Sequence, residues 1–183
     1  MSKLNMLIAQ GGGPTAVINS SLAGVISAAK QSGKVGKVYG AIEGIEGFLK
    51  ERFVDLTGLR NDEIERLKNT PGSALASCRY KVKEEDHESI VKILQKHRID
   101  CFLYNGGNDS MDTCHRISKL DPNVRVFGIP KTIDNDLPVT DHCPGYGSAA
   151  RYAAVSVREL GLDVRGLPLH VTFLELMGRH TGW

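Results

Sequence analysis

Apolar positions recur along the chain in two alternating rhythms. Short runs rich in β-forming residues, 4–9 first among them, lead into glycine, and the stretch that follows brings an apolar residue back every three or four positions. Ile18, Leu22, Val25, Ile26 and Ala29 have that spacing, so 15–31 is expected to be a helix with one apolar stripe, closed by Gly33. Residues 37–42 are expected as a second strand, 43–53 as a glycine-rich connection with its own turns, and Asn61 as the cap of a short helix through Leu67. Residues 71–82 read as loop by composition. From Asp86 a helix puts Ile90, Ile93, Leu94 and His97 on one face, and 100–104 follows as a buried strand. A helix at 108–119, a strand at 123–130, a helix at 147–161 and a strand at 169–176 continue the alternation. Strands separated by helices require parallel crossovers, so the expected fold is α/β: a three-layer αβα sandwich around a mostly parallel, Rossmann-like sheet. In such sheets the loops at the carboxyl ends of the strands carry the binding chemistry.

Composition narrows the class. Glycine supplies 20 of 183 residues, above the usual share of roughly 7% and a sign of many backbone turns. Apolar residues at 41% and charged residues at 24%, with no Gly-X-Y period, exclude collagen-like and disordered chains. The 23 basic and 21 acidic side chains are spread along the length, which gives no electrostatic reason to expect nucleic acid or a membrane surface as partner. No apolar run approaches a membrane span and the start MSKLNMLIAQGGG has no leader pattern, so a cytoplasmic location is expected. The four cysteines contain no C-x-x-C pair and are expected to be reduced, buried thiols.

Four motifs carry candidate chemistry. In Gly11-Gly12-Gly13-Pro14-Thr15, glycines let backbone N–H groups approach an anion and the following helix contributes its positive end. A tight strand-to-helix turn would use the same glycines. Neither G-x-x-x-x-G-K-[ST] nor G-x-G-x-x-G is present, which removes support for Walker nucleotide hydrolases and ordinary dinucleotide domains. Tyr104-Asn105-Gly106-Gly107-Asn108-Asp109-Ser110 is a second double glycine, with an amide and a carboxylate placed to meet Mg²⁺-bound phosphate, although Asp109 also suits a helix N-terminus for its dipole alone. Pro130-Lys131-Thr132-Ile133-Asp134-Asn135-Asp136 sets two carboxylates two residues apart beside a lysine. If extended, it turns Asp134 and Asp136 to one side; the alternative is an acidic turn. Met177-Gly178-Arg179 brings a guanidinium to the end of the last expected strand, where it could grip a phosphate ester or simply lie at the surface. Two glycine cradles, a carboxylate pair and several cations together suit phosphoryl transfer.

GGGPTAVIN, SALASCR, YNGGNDS, IPKTIDND and ELMGRHTGW, in this order, resemble the phosphofructokinases over nearly the whole chain. Lys131 and Asp109, at positions where ATP-dependent members usually have glycine, resemble the pyrophosphate-dependent branch. Charge agrees with this: a carboxylate at the donor pocket repels a nucleotide's inner phosphate, and lysine pairs with compact pyrophosphate. The resemblance implies Mg²⁺-dependent transfer from pyrophosphate to the 1-hydroxyl of fructose 6-phosphate, giving fructose 1,6-bisphosphate in glycolysis. It implies Asp134 as general base with Lys131 beside it, and Gly12, Gly13, Arg79, Gly107, Asp109 and Lys131 as the donor contacts. Thr132, Asp134, Asp136, Met177, Gly178 and Arg179 would contact the sugar phosphate, and Asn108 and Asp109 would be nearest the metal. The chain departs from the family at Asn108, where most members have an aspartate. It also departs at His170, where many have an arginine reaching a neighbouring subunit, and at Pro14, Ala16 and Val17 in the first loop.

Two alternatives stand beside this expectation: an ATP-dependent phosphofructokinase, and a non-catalytic regulatory paralogue, which Asn108 suggests and Asp134 opposes. Residues 1–183 are expected to form the donor-binding domain of a longer, homo-oligomeric enzyme, ending before most of the sugar-phosphate domain, and to be inactive alone.

Overall fold

The computed structural model describes residues 3–168 and 170–180, and the chain divides into two compact units, Met1–Lys131 and Thr132–Trp183. The first unit is built on five strands: β1 (Leu4–Gln10), β2 (Val35–Ala41), β3 (Phe53–Asp55), β4 (Cys101–Gly106) and β5 (Arg125–Pro130). Their order across the sheet is β3-β2-β1-β4-β5, and every pairing is parallel except that of β3 with β2. All six residues of β4 are buried, as a central strand covered on both faces must be.

Helices complete the three layers. On one face lie α1 (Ile18–Ser32) and α3 (Asn61–Lys68), which place Leu22, Ala23, Ile26 and Ile64 against Ile8, Val38 and Leu103 of the sheet. On the other lie α2 (Gly44–Leu49), α4 (Glu84–Lys96) and α5 (Asn108–Leu120), with Phe48, Ile90, Leu94 and Ile117 packed on Leu7 and Phe102. Each of these fully buried aliphatic or aromatic side chains contributes about 1.5–3 kcal/mol relative to exposure. The expected α/β sandwich is therefore the fold observed. Gly33 closes α1 with a φ of 64°, the left-handed geometry that makes glycine the favoured residue there.

Several boundaries differ from expectation for physical reasons. α1 begins at Ile18, not near Thr15, so the first glycine loop is longer and Pro14 lies outside the helix. Arg60, not Asn61, precedes α3, and its N–H donates to Glu63 three residues on, 2.8 Å away. In the same manner Lys83 N–H donates to Asp86 at 2.8 Å, so α4 starts at Glu84 and Asp86 is an internal cap acceptor. The connection at 43–53 contains α2 and ends on β3, elements of six and three residues that are too short for either periodicity.

β3 is fastened to β2 by charge. Lys37 Nζ lies 2.7 Å from Asp55 Oδ2, and Thr57 N–H donates to Asp55 Oδ1 at 2.9 Å. The Lys37 ammonium, followed by Thr57, lowers the Asp55 carboxyl from its usual 3.8 to about 2. A depressed carboxyl stabilises the fold above its ordinary pKa, and the benefit is lost as pH falls from about 4 to about 2. Because the pair is largely exposed, Asp55→Asn should flatten the acid limb of a stability-versus-pH curve by no more than about 1 kcal/mol. An unchanged limb between those pH values in chemical denaturation would sink this assignment.

The second unit contains α6 (Tyr146–Gly166), which runs through Gly161 and five residues beyond the expected end. An added methyl at Gly161 would meet nothing within 4 Å, so its presence costs helix propensity alone. The strand expected at 169–176 is not formed. Residues 170–176 carry no regular structure and are exposed, and Leu169 lies outside the described residues. Among the described residues this apolar run takes part in no strand ladder, and alternation without ladder bonds does not make a strand. No helix among the described residues is long and apolar enough to cross a membrane. All four cysteines are free; burial pushes the Cys101 thiol up to about 11 and the Cys114 thiol up to about 12, so both stay protonated.

Candidate functional site

In the first unit, two glycine loops leave the carboxyl ends of the adjacent parallel strands β1 and β4 and are bonded to one another. Gly11 N–H donates to the Asn105 carbonyl at 2.8 Å, and the Lys131 N–H donates to the Gly106 carbonyl at 3.0 Å. Contact is so close that an added Cβ at Gly106 would sit 2.0 Å from Ser110 Oγ, and one at Gly11 would sit 2.8 Å from the Tyr104 ring. Burial pushes the Tyr104 hydroxyl up from its usual range, and it stays protonated in its hydrogen bond with Ser110. These glycines are thus required by the meeting of the two loops as well as by any ligand.

The first loop is shaped from behind by polar side chains. Buried Gln10 accepts from Ser73 Oγ at 2.5 Å and Leu75 N–H at 3.3 Å, while Asn19 accepts from Ala74 N–H at 2.8 Å. The segment so held continues to Ser77, whose hydroxyl donates to the Gly12 carbonyl at 2.6 Å, and Cys78, whose carbonyl accepts from Gly12 N–H at 3.3 Å. Gly12 takes a φ of 74°. Gly44 supports the same wall: its ideal Cβ position is 2.4 Å from the Gln10 carbonyl oxygen and 3.1 Å from Cys78 Sγ.

Cations flank this loop. Lys131, only 4% exposed, donates from Nζ to the Gly13 carbonyl at 2.5 Å. Arg79 brings its guanidinium to 3.2 Å from where a Gly13 Cβ would be. Thr15 Oγ1 is buried without a hydrogen-bond partner among the described residues, a polar atom placed to meet an incoming group. In the second loop, Gly107 precedes α5, whose first-turn residues Asn108 and Asp109 are exposed. Gly12, Gly13, Arg79 and Lys131 are therefore brought together, and Gly107 adjoins them through Lys131, whose carbonyl oxygen lies 3.7 Å from its ideal Cβ position.

Among the described residues no group of three or more His, Cys, Asp or Glu gathers to hold a metal. Magnesium does not need such a group, since it keeps several waters and is commonly held by one or two carboxylates together with substrate phosphates. The exposed Asp109 and its neighbour Asn108 offer one carboxylate and one amide oxygen at the head of α5, a donor set that fits an ion delivered with phosphate.

In the second unit, the carboxylate motif folds back on Arg179. Thr132 N–H donates to the Pro144 carbonyl at 3.1 Å, and Asp134 N–H donates to Thr132 Oγ1 at 3.1 Å. Asn135 takes a φ of 52° and is fixed by its Oδ1, which accepts from Cys143 N–H at 2.7 Å. Asp134 and Asp136 do share one side, but through this left-handed residue and not through the extended backbone expected. Arg179 Nη2 lies 2.9 Å from Asp134 Oδ2 and 2.7 Å from Asp136 Oδ2, and its Nε donates to Asp136 Oδ2 at 2.9 Å. Exposed Met177 and half-buried Gly178 precede it without regular structure.

A mostly parallel sheet between two helical layers, with paired glycine loops at its carboxyl edge, is the fold of a chain that belongs to the phosphofructokinase family, whose pattern it matches over residues 5–183. It is 48% identical over 195 residues to a pyrophosphate–fructose 6-phosphate 1-phosphotransferase of Xanthomonas campestris, covering all of this chain and 46% of that protein. The protein of the same name from Methylococcus capsulatus is 45% identical over 196 residues, again with the whole chain and 47% of the relative covered. Among solved structures, the pyrophosphate-dependent phosphofructokinase of Nitrosospira multiformis superposes with a TM-score of 0.81 at 46% identity, over 87% of this chain and 42% of that one. The chain spans about half the length of the curated relatives it matches.

Of the residues that shape the first loop, Asn19, Ser73 and Ser77 lie within GGGPTAVIN and SALASCR, whereas Gln10 and Gly44 lie in neither, and Gln10 leaves a trace as a polar residue ending an otherwise apolar run.

Proposed function

We propose that the whole protein transfers a phosphoryl group from pyrophosphate to the 1-hydroxyl of fructose 6-phosphate, giving fructose 1,6-bisphosphate, and that residues 1–183 supply its donor-binding domain. The observation that carries this reading is the buried Lys131 set against the Gly13 carbonyl with Arg79 alongside, a compact cationic wall suited to a small, highly charged donor. Backbone N–H groups around Gly12, Gly13 and Gly107 would receive phosphate oxygens, and Lys131 and Arg79 would neutralise them. Mg²⁺ near Asn108 and Asp109 would neutralise further phosphate charge. Asp134 would accept the sugar proton, with Thr132, Asp136, Met177, Gly178 and Arg179 holding the sugar phosphate. The enzyme would work in the cytoplasm as a homo-oligomer, with no nucleic-acid or membrane partner.

The names of the relatives support the donor, and the exposed Asp109 carboxylate supports the exclusion of nucleotides. The whole protein should phosphorylate fructose 6-phosphate with magnesium pyrophosphate and show no turnover with magnesium ATP, and Asp109→Gly should admit ATP. Turnover with ATP alone would overturn the donor. ATP use unaltered by Asp109→Gly would overturn the charge argument.

A further inference from the structure

We propose that the cavity between α1, α3 and the segment at 70–75 binds a small amphipathic anion, an apolar chain with one carboxylate, and that this occupant steadies the segment that supports the first glycine loop. The assignment goes beyond the function proposed above and does not depend on it. The cavity is open to solvent and has a volume of about 630 Å³, within the range of roughly 300–1,000 Å³ usual for small-molecule sites. Every residue that lines it belongs to the first unit.

Leu22 of α1, Leu67 of α3, and Ile42, Leu56, Leu59 and Leu75 make the lining largely apolar. The polar groups in the same lining are mostly engaged within the protein. Asn19 Nδ2 donates to the Thr70 carbonyl at 2.8 Å, and its Oδ1 accepts from Ala74 N–H at 2.8 Å. Ser73 Oγ donates to Gln10 Oε1, and Thr70 Oγ1 donates to the Arg66 carbonyl at 2.7 Å. Glu63 Oε2 accepts from Arg60 N–H at 2.8 Å, and the Arg60 guanidinium lies 3.5 Å from its other oxygen. Arg66 is the lining residue that remains. It is exposed and takes part in no ion pair among the described residues, and Asp62, one turn before it, is paired with Arg60 at 3.1 Å. A leucine-lined cavity with one guanidinium to offer selects a hydrocarbon body with a single carboxylate. A nucleotide or sugar phosphate would set several hydroxyls and charges against leucine without partners, which costs more than one arginine returns.

Part of the lining also supports the first loop. Asn19, Ser73, Ala74 and Leu75 line the cavity, and the segment they secure continues to Ser77 and Cys78, which bond to Gly12. Opening of this segment breaks the bonds of Ala74 and Leu75 N–H to Asn19 and Gln10, and it parts Gly12 from Ser77 and Cys78. A ligand that needs the closed lining makes that opening rarer by a factor of 1 + [L]/Kd. Occupancy is therefore felt at Gly12 without any contact to it.

The probe is octanoate at neutral pH, with 1-octanol as its uncharged counterpart, each added to the whole protein. Calorimetry should show one saturable octanoate site per chain, with octanol bound about tenfold more weakly. Arg66→Gln should bind octanoate about tenfold more weakly than the unmodified protein does and should bind the two probes alike. With octanoate at about ten times its Kd, amide exchange in the peptides carrying residues 73–78 and Gly12 should slow about tenfold, while α5 is unaffected. The same concentration should slow those peptides only about twofold in Arg66→Gln. Absence of saturable octanoate binding overturns the proposal, and so does equal octanoate affinity in Arg66→Gln and the unmodified protein. Exchange that is unchanged at 73–78 and Gly12, or slowed equally in α5, overturns it as well. If Arg66→Gln does not fold, the unmodified protein decides alone, and equal affinity for octanoate and octanol then overturns the charge recognition. None of these readouts involves phosphoryl transfer, so failure of the functional reading would be seen separately.

Discussion

Replacing Asp134 by asparagine in the whole protein should lower kcat for transfer from pyrophosphate to fructose 6-phosphate by about 10²–10⁴, the range of a lost general base, with KM for either substrate changing less than about threefold. Asparagine keeps the volume and one carbonyl oxygen for Arg179, so the contact seen at 2.9 Å becomes a hydrogen bond from the cationic guanidinium to a neutral acceptor. Arg179 also retains both contacts with Asp136, and the main chain at 134 is held independently by Thr132 Oγ1 at 3.1 Å. Only the proton acceptor is removed. Steady-state kinetics, with circular dichroism to verify folding, would decide: kcat within about tenfold of the unmodified value removes Asp134 from the role of base.

A large effect on stability is expected at Gly44, in the first unit. Gly44→Ala should destabilise the fold by about 2–4 kcal/mol, summing a left-handed conformation that costs roughly 1–2 kcal/mol for other residues and a methyl forced into closed packing. Gly44 has a φ of 62°, and its new methyl would lie 2.4 Å from the Gln10 carbonyl, a backbone atom that cannot rotate away. The damage would reach the first glycine loop, because Gln10 precedes the glycines and Cys78, 3.1 Å from the same methyl, anchors Gly12. The melting temperature should fall by at least about 4 °C and KM for pyrophosphate should rise. Gly58→Ala is the control, since its methyl meets nothing within 4 Å. Equal melting temperatures for the two variants would refute the packing argument.

What the sequence conveys depends on how far apart the interacting residues are. The stripe of α1, the buried run of β4 and the face of α4 were readable because each repeats a period within one element, and their packing follows that period. α2 and β3 were not, since they are specified by contacts across the fold: Gly44 against Gln10, and Lys37 against Asp55. The run at 170–176 has strand-like residues and takes part in no strand ladder among the described residues. In the candidate site the glycines, Lys131 and the carboxylate pair announce themselves by residue type. The grip of Arg179 on both carboxylates does not, because it joins residues more than 40 positions apart, Arg179 and Asp136 being 43 apart. The polar wall is likewise unreadable as a wall: Asn19 stands in GGGPTAVIN and Ser73 and Ser77 in SALASCR, but their bonds to Ala74, Gln10 and Gly12 join residues 55 to 65 positions apart.

The strand order β3-β2-β1-β4-β5 also has a temporal meaning. β1 leaves the ribosome before either of its neighbours, and one of them, β2, follows within residues 35–41, whereas the other, β4, does not begin until residue 101. At a synthesis rate of about 5–20 residues per second, that edge of the nascent sheet waits roughly 3–12 seconds for its partner. The edge ends at the glycines of the first loop, and its N–H and C=O groups are then open to any passing strand. Slower translation of the segment between β3 and β4 would lengthen that exposure.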